Sequence, residues 1–202
     1  MIFEVIFDLE TKKLFQDIEG TDPADLEVSI VSLYQRQLDN KFQEIEGGMK
    51  SFWEEDFSKM WEIFQNADRI IGYNSKKFDC PALTPYANFP FTKLAHFDVF
   101  EIVRNALGRR ISLDALAKET LGEEKSGIGT DAVKFWRKGD KESLQKLKKY
   151  CEMDVLITKE VYDFGLKESH LKYSDKWNNQ RRVEVNFSYP QESGGKTQNT
   201  LF

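Results

Sequence analysis

The sequence predicts a mixed α/β domain, on three observations. Short β-branched and aromatic runs, Ile2 to Leu9 first among them, alternate with longer stretches of helical periodicity such as 141–167. Of the 202 residues 40% are hydrophobic and 16 are Phe, enough for a buried core without disulfide staples. The charged fraction of 31% mixes both signs, which excludes collagen-like, mucin-like and wholly disordered chains. The length suits one domain, or one domain with a short appendage.

The elements follow in order. Ile2 to Leu9 is too short for a helix and reads as a buried strand ending in Asp8-Leu9-Glu10-Thr11. Residues 12–27, with Gly20 and Asp22-Pro23, read as a loop. Ser29 to Tyr34 resumes strand character and can pair with Lys41 to Glu46 across Leu38-Asp39-Asn40, with Gly47-Gly48 expected to break the sheet. Ser51 can cap a helix, with Glu54 completing a capping box. Phe52, Trp53, Phe57, Met60, Trp61 and Phe64 recur at helical spacing and should pack one aromatic face on the sheet. Arg69 to Tyr73 reads as a fourth strand and Lys93 to Val99 as a fifth. Ser112 opens a helix that stops at Gly122, and a long helix runs from about Lys141 to Lys167. Leu171 to Ser174 and Arg182 to Phe187 flank a polar turn and suggest a hairpin, after which a tail with Gly194-Gly195 reads as flexible.

Composition narrows the function classes. No run of 18 apolar residues exists, so no membrane-spanning helix is expected. The start lacks a basic segment and a small-residue cleavage site, unlike a signal peptide. Two cysteines, Cys80 and Cys151, and two histidines offer neither a disulfide framework nor a zinc spacing. A reduced, cytoplasmic protein is the expectation. The formal charge of −5 hides a split: residues 1–68 hold 6 Lys/Arg against 16 Asp/Glu, and residues 102–150 hold 12 against 7. A local basic face can steer nucleic acid even on an acidic molecule, although a solvated helix surface has the same composition.

The chemistry rests on acidic residues in three segments. Asp8 and Glu10, two apart on a strand, project from one face of the sheet. Two carboxylates that close repel each other unless a cation neutralises them, though an isolated Asp-x-Glu is also a common solvated strand end. Asp79 follows Asn74-Ser75-Lys76-Lys77-Phe78 at a strand-to-helix turn, where an Asp can also serve the helix dipole. Tyr150 and Asp154 lie one helical turn apart and share a helix face. Asp154 adjoins Val155-Leu156-Ile157, where a carboxylate is costly to bury without a partner such as a metal ion.

In this order and spacing the segments resemble the Exo I, Exo II and Exo III motifs of DnaQ-like 3′–5′ exonucleases. Phe7-Asp8-Leu9-Glu10-Thr11 resembles the first, Asn74 to Asp79 the second, and Tyr150-Cys151-Glu152-Met153-Asp154 the Tyr-x-x-x-Asp form of the third, which marks the DEDDy branch. Ser112-Leu113-Asp114-Ala115-Leu116-Ala117 through Leu121-Gly122 is also similar to the helix before Exo III in exonuclease domains of family B DNA polymerases. The resemblance covers about residues 1–168. It implies an RNase H-like fold, with a mixed five-stranded sheet flanked by helices over 1–168, a hairpin extension over 169–189 and a tail over 190–202. It also implies two divalent cations, Mg2+ or Mn2+, held by Asp8, Glu10, Asp79 and Asp154, with Asp8 shared and Tyr150 orienting the attacking water. An all-carboxylate set suits such hard cations better than zinc.

Around that set, Leu9, Thr11, Asn74, Lys76, Lys77 and Phe78 are candidate nucleic-acid contacts, with Arg104, Arg109 and Arg110 as further phosphate candidates. Asp98 follows a strand and can be read simply as a cap. The final Gln198-Asn199-Thr200-Leu201-Phe202 resembles the Gln-x-x-Leu-Phe peptide with which bacterial replication proteins dock on a sliding clamp, so Gln198, Leu201 and Phe202 are candidate partner contacts. The expected function is metal-dependent 3′–5′ exonuclease action on a free 3′ end, of single-stranded DNA first, in repair or proofreading. The rivals are RNA trimming as by RNase D, internal cutting as by RNase H, and noncatalytic nucleic-acid binding.

Overall fold

The computed structural model describes residues 1–122 and 131–189. Its main sheet has five strands: β1 (Ile2–Thr11), β2 (Val28–Leu38), β3 (Glu44–Trp53), β4 (Arg69–Gly72) and β5 (His96–Asp98). Their order is β3-β2-β1-β4-β5, with β1, β2 and β3 antiparallel and β4 and β5 parallel to β1. The mixed five-stranded sheet expected from the sequence is therefore present. Six α-helices surround it among the described residues: α1 (Trp61–Gln65), α2 (Asp79–Leu83), α3 (Val99–Leu107), α4 (Leu113–Leu121), α5 (Asp131–Lys138) and α6 (Lys141–Glu168). A second, two-stranded sheet pairs β6 (His170–Ser174) with β7 (Gln180–Glu184).

β1 is central and buried on both faces, which explains its near-continuous apolar run. Val5, Phe7 and Leu9 pack on one side with Phe57, Met60, Phe64 and Phe91. Ile6 packs on the other with Val155, Val161 and Tyr162 of α6. Alternation thus sends Glu4, Ile6, Asp8 and Glu10 toward α6. No helix among the described residues is long and apolar enough to cross a membrane.

Three local expectations fail for identifiable reasons. Gly47-Gly48 does not break the sheet, because β3 continues through it to Trp53. A Cβ at Gly47 would lie 2.6 Å from the Tyr34 hydroxyl, so the glycine admits a neighbouring ring that crosses the strand. Ser51 is not a helix cap: it pairs with Ser32 inside the sheet, their hydroxyls 3.0 Å apart, and its own hydroxyl donates to Glu152 at 2.7 Å. The aromatic segment leaves β3 through a 3-10 turn (Glu54–Lys59) and becomes helical only over α1, yet Phe57, Met60 and Phe64 still bury their expected face.

The fifth strand shrinks to β5, because Phe91–Lys93 forms a 3-10 turn and Asp98 already caps α3. α3 and α5 had no counterpart in the sequence reading. α4 and α6 form as expected, with Ser112 and Asp140 accepting from the Ala115 and Ser143 amides at 3.2 and 3.0 Å. The hairpin forms too, but β7 ends at Glu184. Val185 and Phe187 instead turn back into the core beside Tyr162. Within residues 169–189, expected as an extension, Leu171, Val183, Val185 and Phe187 pack into the core on the α6 side.

Candidate metal centre

β1 pairs with β4 only from Glu4 to Ile6, opposite Arg69 to Ile71. Asp8 and Glu10 lie beyond the end of that pairing, where the chain leaving β4 turns away from the sheet. On the other edge, β1 and β2 slip register between Glu10 and Thr11, a bulge that re-aims the strand end. The Ser29 hydroxyl donates to the Glu10 carbonyl at 2.9 Å and fixes the bulge.

α6 crosses this strand end and supplies Asp154, which is 8% exposed. One carboxylate oxygen each from Asp8, Glu10 and Asp154 lies within 4.8 Å of the others. The two strand carboxylates are half-buried, so three negative charges converge at a partly dry spot. Such a cluster favours a cation, and its all-oxygen donors fit a hard divalent ion. Cys151 lies beside it, with Sγ 3.5 Å from the Asp8 carbonyl and 3.9 Å from Asp8 Oδ2. Burial first, then Asp8 and Glu10, push its thiol well up.

Asp79 opens α2 and is 4% exposed. It is outside the trio that converges within 4.8 Å, but Asp154 acts on it electrostatically. Burial raises its pKa to about 7, helped by Asp98 and Asp154 and opposed by the amides of Asp79 and Leu9. The sign of the consequence is definite. An unfolded Asp ionises near pH 3.9, so between that value and about 7 the folded state holds a proton the unfolded chain has lost. Stability from this group is fully present at low pH, falls as pH rises from about 4, and is gone once pH has passed about 7. In chelator, wild type should therefore lose stability relative to Asp79→Asn between about pH 4 and 7, as read by urea denaturation. A constant difference over that range would show that Asp79 ionises normally.

The second segment is organised by a residue the sequence reading set aside. Asp98, 2% exposed, accepts the Asn74 amide at 2.9 Å, the Lys76 amide at 3.1 Å and the Glu101 amide at 3.2 Å. It caps α3 and also clamps the turn that delivers Asp79, with Asn74 held in the left-handed region at φ 64°. Only the cap was legible, since the Asn74 contact spans 24 residues. Gly72 allows the turn to close: a Cβ there would lie 2.5 Å from Ser75 Cβ.

The remaining candidates divide by placement. Lys76 and Lys77 are exposed, and Lys76 pairs with Glu101 at 2.9 Å. Phe78 is half-buried, and its ring meets edge-on that of Phe15, which is 44% exposed, with centroids 6.1 Å apart. Leu9 is 4% exposed on the opposite face of β1, so its side chain is withdrawn into the core rather than offered to a base. Thr11 is likewise buried, its hydroxyl donating to the Lys13 carbonyl at 2.8 Å. Tyr150, one turn before Asp154 on α6, is half-buried beside Trp53, Trp136 and Ile30. Gln198, Leu201 and Phe202 lie outside the described residues.

Comparison with known proteins bears on this arrangement. No curated protein matches the chain. Among solved structures, the family B DNA polymerase of the hyperthermophilic archaeon Pyrobaculum calidifontis is 19% identical, with a TM-score of 0.58 over 82% of this chain and 25% of that one. The zinc-bound E. coli ExoI–ssDNA complex is 14% identical, with a TM-score of 0.46 over 83% of this chain and 41% of that one. The chain thus spans 25% and 41% of the lengths of these two proteins, and the polymerase likeness concerns the fold. The family model described as RNase_H superfamily matches residues 14–164, a span that takes in Asp79, Tyr150 and Asp154. On that match, and with a mixed five-stranded sheet carrying its carboxylates on the central strand, this chain belongs to the RNase H superfamily.

Proposed function

We propose that the protein is a 3′–5′ exonuclease of the DEDDy type, acting first on single-stranded DNA in repair or proofreading. The observation that carries this reading is the convergence of Asp8, Glu10 and Asp154 across β1 and α6. Tyr150 one turn earlier on α6 and Asp79 at the start of α2 support it. Two divalent ions, when bound, would supply Lewis-acid activation of water and stabilisation of the leaving 3′ oxygen. Asp8, Glu10 and Asp154 would hold one ion, and Asp79 with Asp8 would serve the second. The Tyr150 hydroxyl positions the attacking water, a role that requires no ionised phenol. Lys76 and Lys77 meet the phosphates, Asn74 shapes the turn beneath them, and the exposed edge of Phe78 meets the terminal base. Asp98 acts through that turn as a positioning residue.

The test is direct. A 5′-labelled single-stranded DNA, its RNA counterpart and a 3′-blocked copy are incubated with Mn2+ or with chelator. A metal-dependent ladder shortening from the 3′ end on DNA, stopped by the block, is the expected result. A ladder on RNA alone would move the substrate to RNA trimming. Cutting of a circular strand would make the enzyme an endonuclease, and binding without turnover would make it a noncatalytic module.

We further propose that Gln198, Leu201 and Phe202 dock on a sliding clamp and raise the local concentration of the enzyme at DNA ends. Deleting Gln198 to Phe202 should abolish clamp binding and leave hydrolysis of a free oligonucleotide unchanged. Clamp binding that survives the deletion would remove the tail from the mechanism.

A further inference from the structure

We propose that the β6–β7 hairpin and the α3–α4 corner form a second nucleic-acid-binding surface, separate from the metal centre, that holds the strand by phosphate contacts and by stacking on Trp177. The choice of polymer rests on the nuclease reading; the surface itself rests on the observations below.

Trp177 is 70% exposed at the hairpin tip, the most exposed aromatic among the described residues. It makes no core contact, yet its position is built. Asp175 Oδ1 accepts the Trp177 amide at 2.9 Å and the Asn179 amide at 3.0 Å, and Asn178 sits in the left-handed region at φ 62°. Lys176 Nζ lies 4.3 Å from the indole centroid. A large aromatic surface is thus held out in solvent on a short, hydrogen-bonded turn with a cation beside it. Such a platform accepts a base face with little ordering left to do.

The hairpin itself is firmly docked. Lys172 exchanges both backbone bonds with the Thr120 hydroxyl at 3.0 Å, and Arg109 donates to the Ser174 carbonyl at 2.9 Å. Leu171 and Val183 are buried in the core beneath it. Between hairpin and corner runs a groove of about 430 Å³ whose lining includes Arg109, Arg110, Lys118, Glu119, Tyr173 and Asn178. Arg109 and Arg110 are exposed.

Charge selects the occupant. Residues 170–184 carry Lys172, Lys176, Arg181 and Arg182 against Asp175 and Glu184, while the whole chain is at −5. Two acidic side chains here are engaged, while Glu184 is exposed opposite His170 at the base of the hairpin. Glu119 accepts from Ser174 at 2.7 Å and Gln180 at 3.2 Å, and Asp175 accepts from Arg181 at 3.0 Å. Cations interleaved with an exposed indole match a polyanion that also presents flat π-faces, which is a single-stranded nucleic acid. The groove is also joined to the site. Tyr73, which follows β4, donates to the Ile111 carbonyl at 2.8 Å, between Arg110 and Ser112. The next amide, that of Asn74, is held by Asp98 in the turn leading to Asp79. Tyr73 thus ties the corner that carries Arg110 to the turn that leads to Asp79.

The test uses the full chain and two readouts. Binding of a labelled single-stranded DNA of about 20 nucleotides is measured by anisotropy in chelator across a salt series. Hydrolysis of a trinucleotide is measured with Mn2+. Trp177→Ala should weaken binding of the long strand by about tenfold, and Trp177→Phe should restore part of it. Arg110→Ala should weaken binding and flatten its salt dependence. Trp177→Ala and Trp177→Phe should leave the trinucleotide rate unchanged, since Trp177 stands apart from the metal centre and its candidate phosphate contacts. If both variants bind the long strand as wild type does, the proposal is overturned and the hairpin is left to a protein partner. If binding depends on Trp177 but wild type does not hydrolyse the trinucleotide, the surface stands and the exonuclease reading falls.

Discussion

Asp8→Ala is expected to reduce metal-dependent hydrolysis by about 1,000-fold or more, because the charge stabilisation a bound ion supplies is worth several kcal/mol. Asp8 belongs to the trio whose carboxylates converge within 4.8 Å, and in the proposed mechanism it would serve both ions. Removing it deletes a ligand and also relieves repulsion with Glu10 and Asp154. In chelator the variant should therefore be no less stable than wild type, which separates lost chemistry from lost folding. Calorimetry with Mn2+ should show weakened ion binding. Tyr150→Phe makes the contrast: ion binding should persist while hydrolysis slows by about 10- to 100-fold, the size of a positioning effect. Near-wild-type turnover in Asp8→Ala would sink the metal assignment, and an unchanged rate in Tyr150→Phe would reduce Tyr150 to packing beside Trp53.

The largest loss of stability is expected at the other end of the same strand face. Glu4 is fully buried and accepts from Arg36 Nε at 2.8 Å and Nη2 at 2.7 Å, and from the hydroxyls of Tyr162 and Tyr189, both at 2.7 Å. Arg36, 4% exposed, also pairs with Asp163 at 2.6 Å. Arg69 donates to the Tyr162 hydroxyl at 2.9 Å and to the Phe187 carbonyl at 2.6 Å, and lies 3.5 Å over the Tyr189 ring. Burial and Glu4 push both phenols up, so they remain protonated donors. Glu4→Ala would leave a buried guanidinium half-paired and two hydroxyls without their acceptor. Breaking such a network from one side costs about 3–5 kcal/mol, a fall in Tm of about 10 °C for a domain of this size. Glu4→Gln, which keeps the shape and one acceptor oxygen, should lose less. Equal unfolding midpoints for wild type and Glu4→Ala in urea would show that the network contributes nothing net.

These two sites share one strand face, and they were not equally legible. Asp8 and Glu10 could be placed together from sequence because strand alternation needs only adjacent residues, and Tyr150 and Asp154 because a helical turn needs only four. α6, with its Asp140 cap, and α4, between Ser112 and Gly122, were readable for the same reason. The aromatic run from Phe52 to Phe64 was misread because its spacing fits a helix while its first residues pair with β2 at Ile30 and Val31. Gly47 misled because its role is set by Tyr34, a residue on the neighbouring strand. Glu4 lies in an apolar strand, and its partners are 32, 158 and 185 residues away.

By itself, then, the sequence determined the α/β class, the residues of the three acidic segments and the helix face that carries Asp154, since each is written in contiguous residues. Only the tertiary structure decided that Asp98 clamps the turn before Asp79, that Leu9 turns away into the core, that the terminal hairpin buries Leu171 and Val183 while presenting Trp177, and that Glu4 anchors the C-terminal segment. Those outcomes depend on side chains meeting across long stretches of chain, and no local period records which distant residue will arrive.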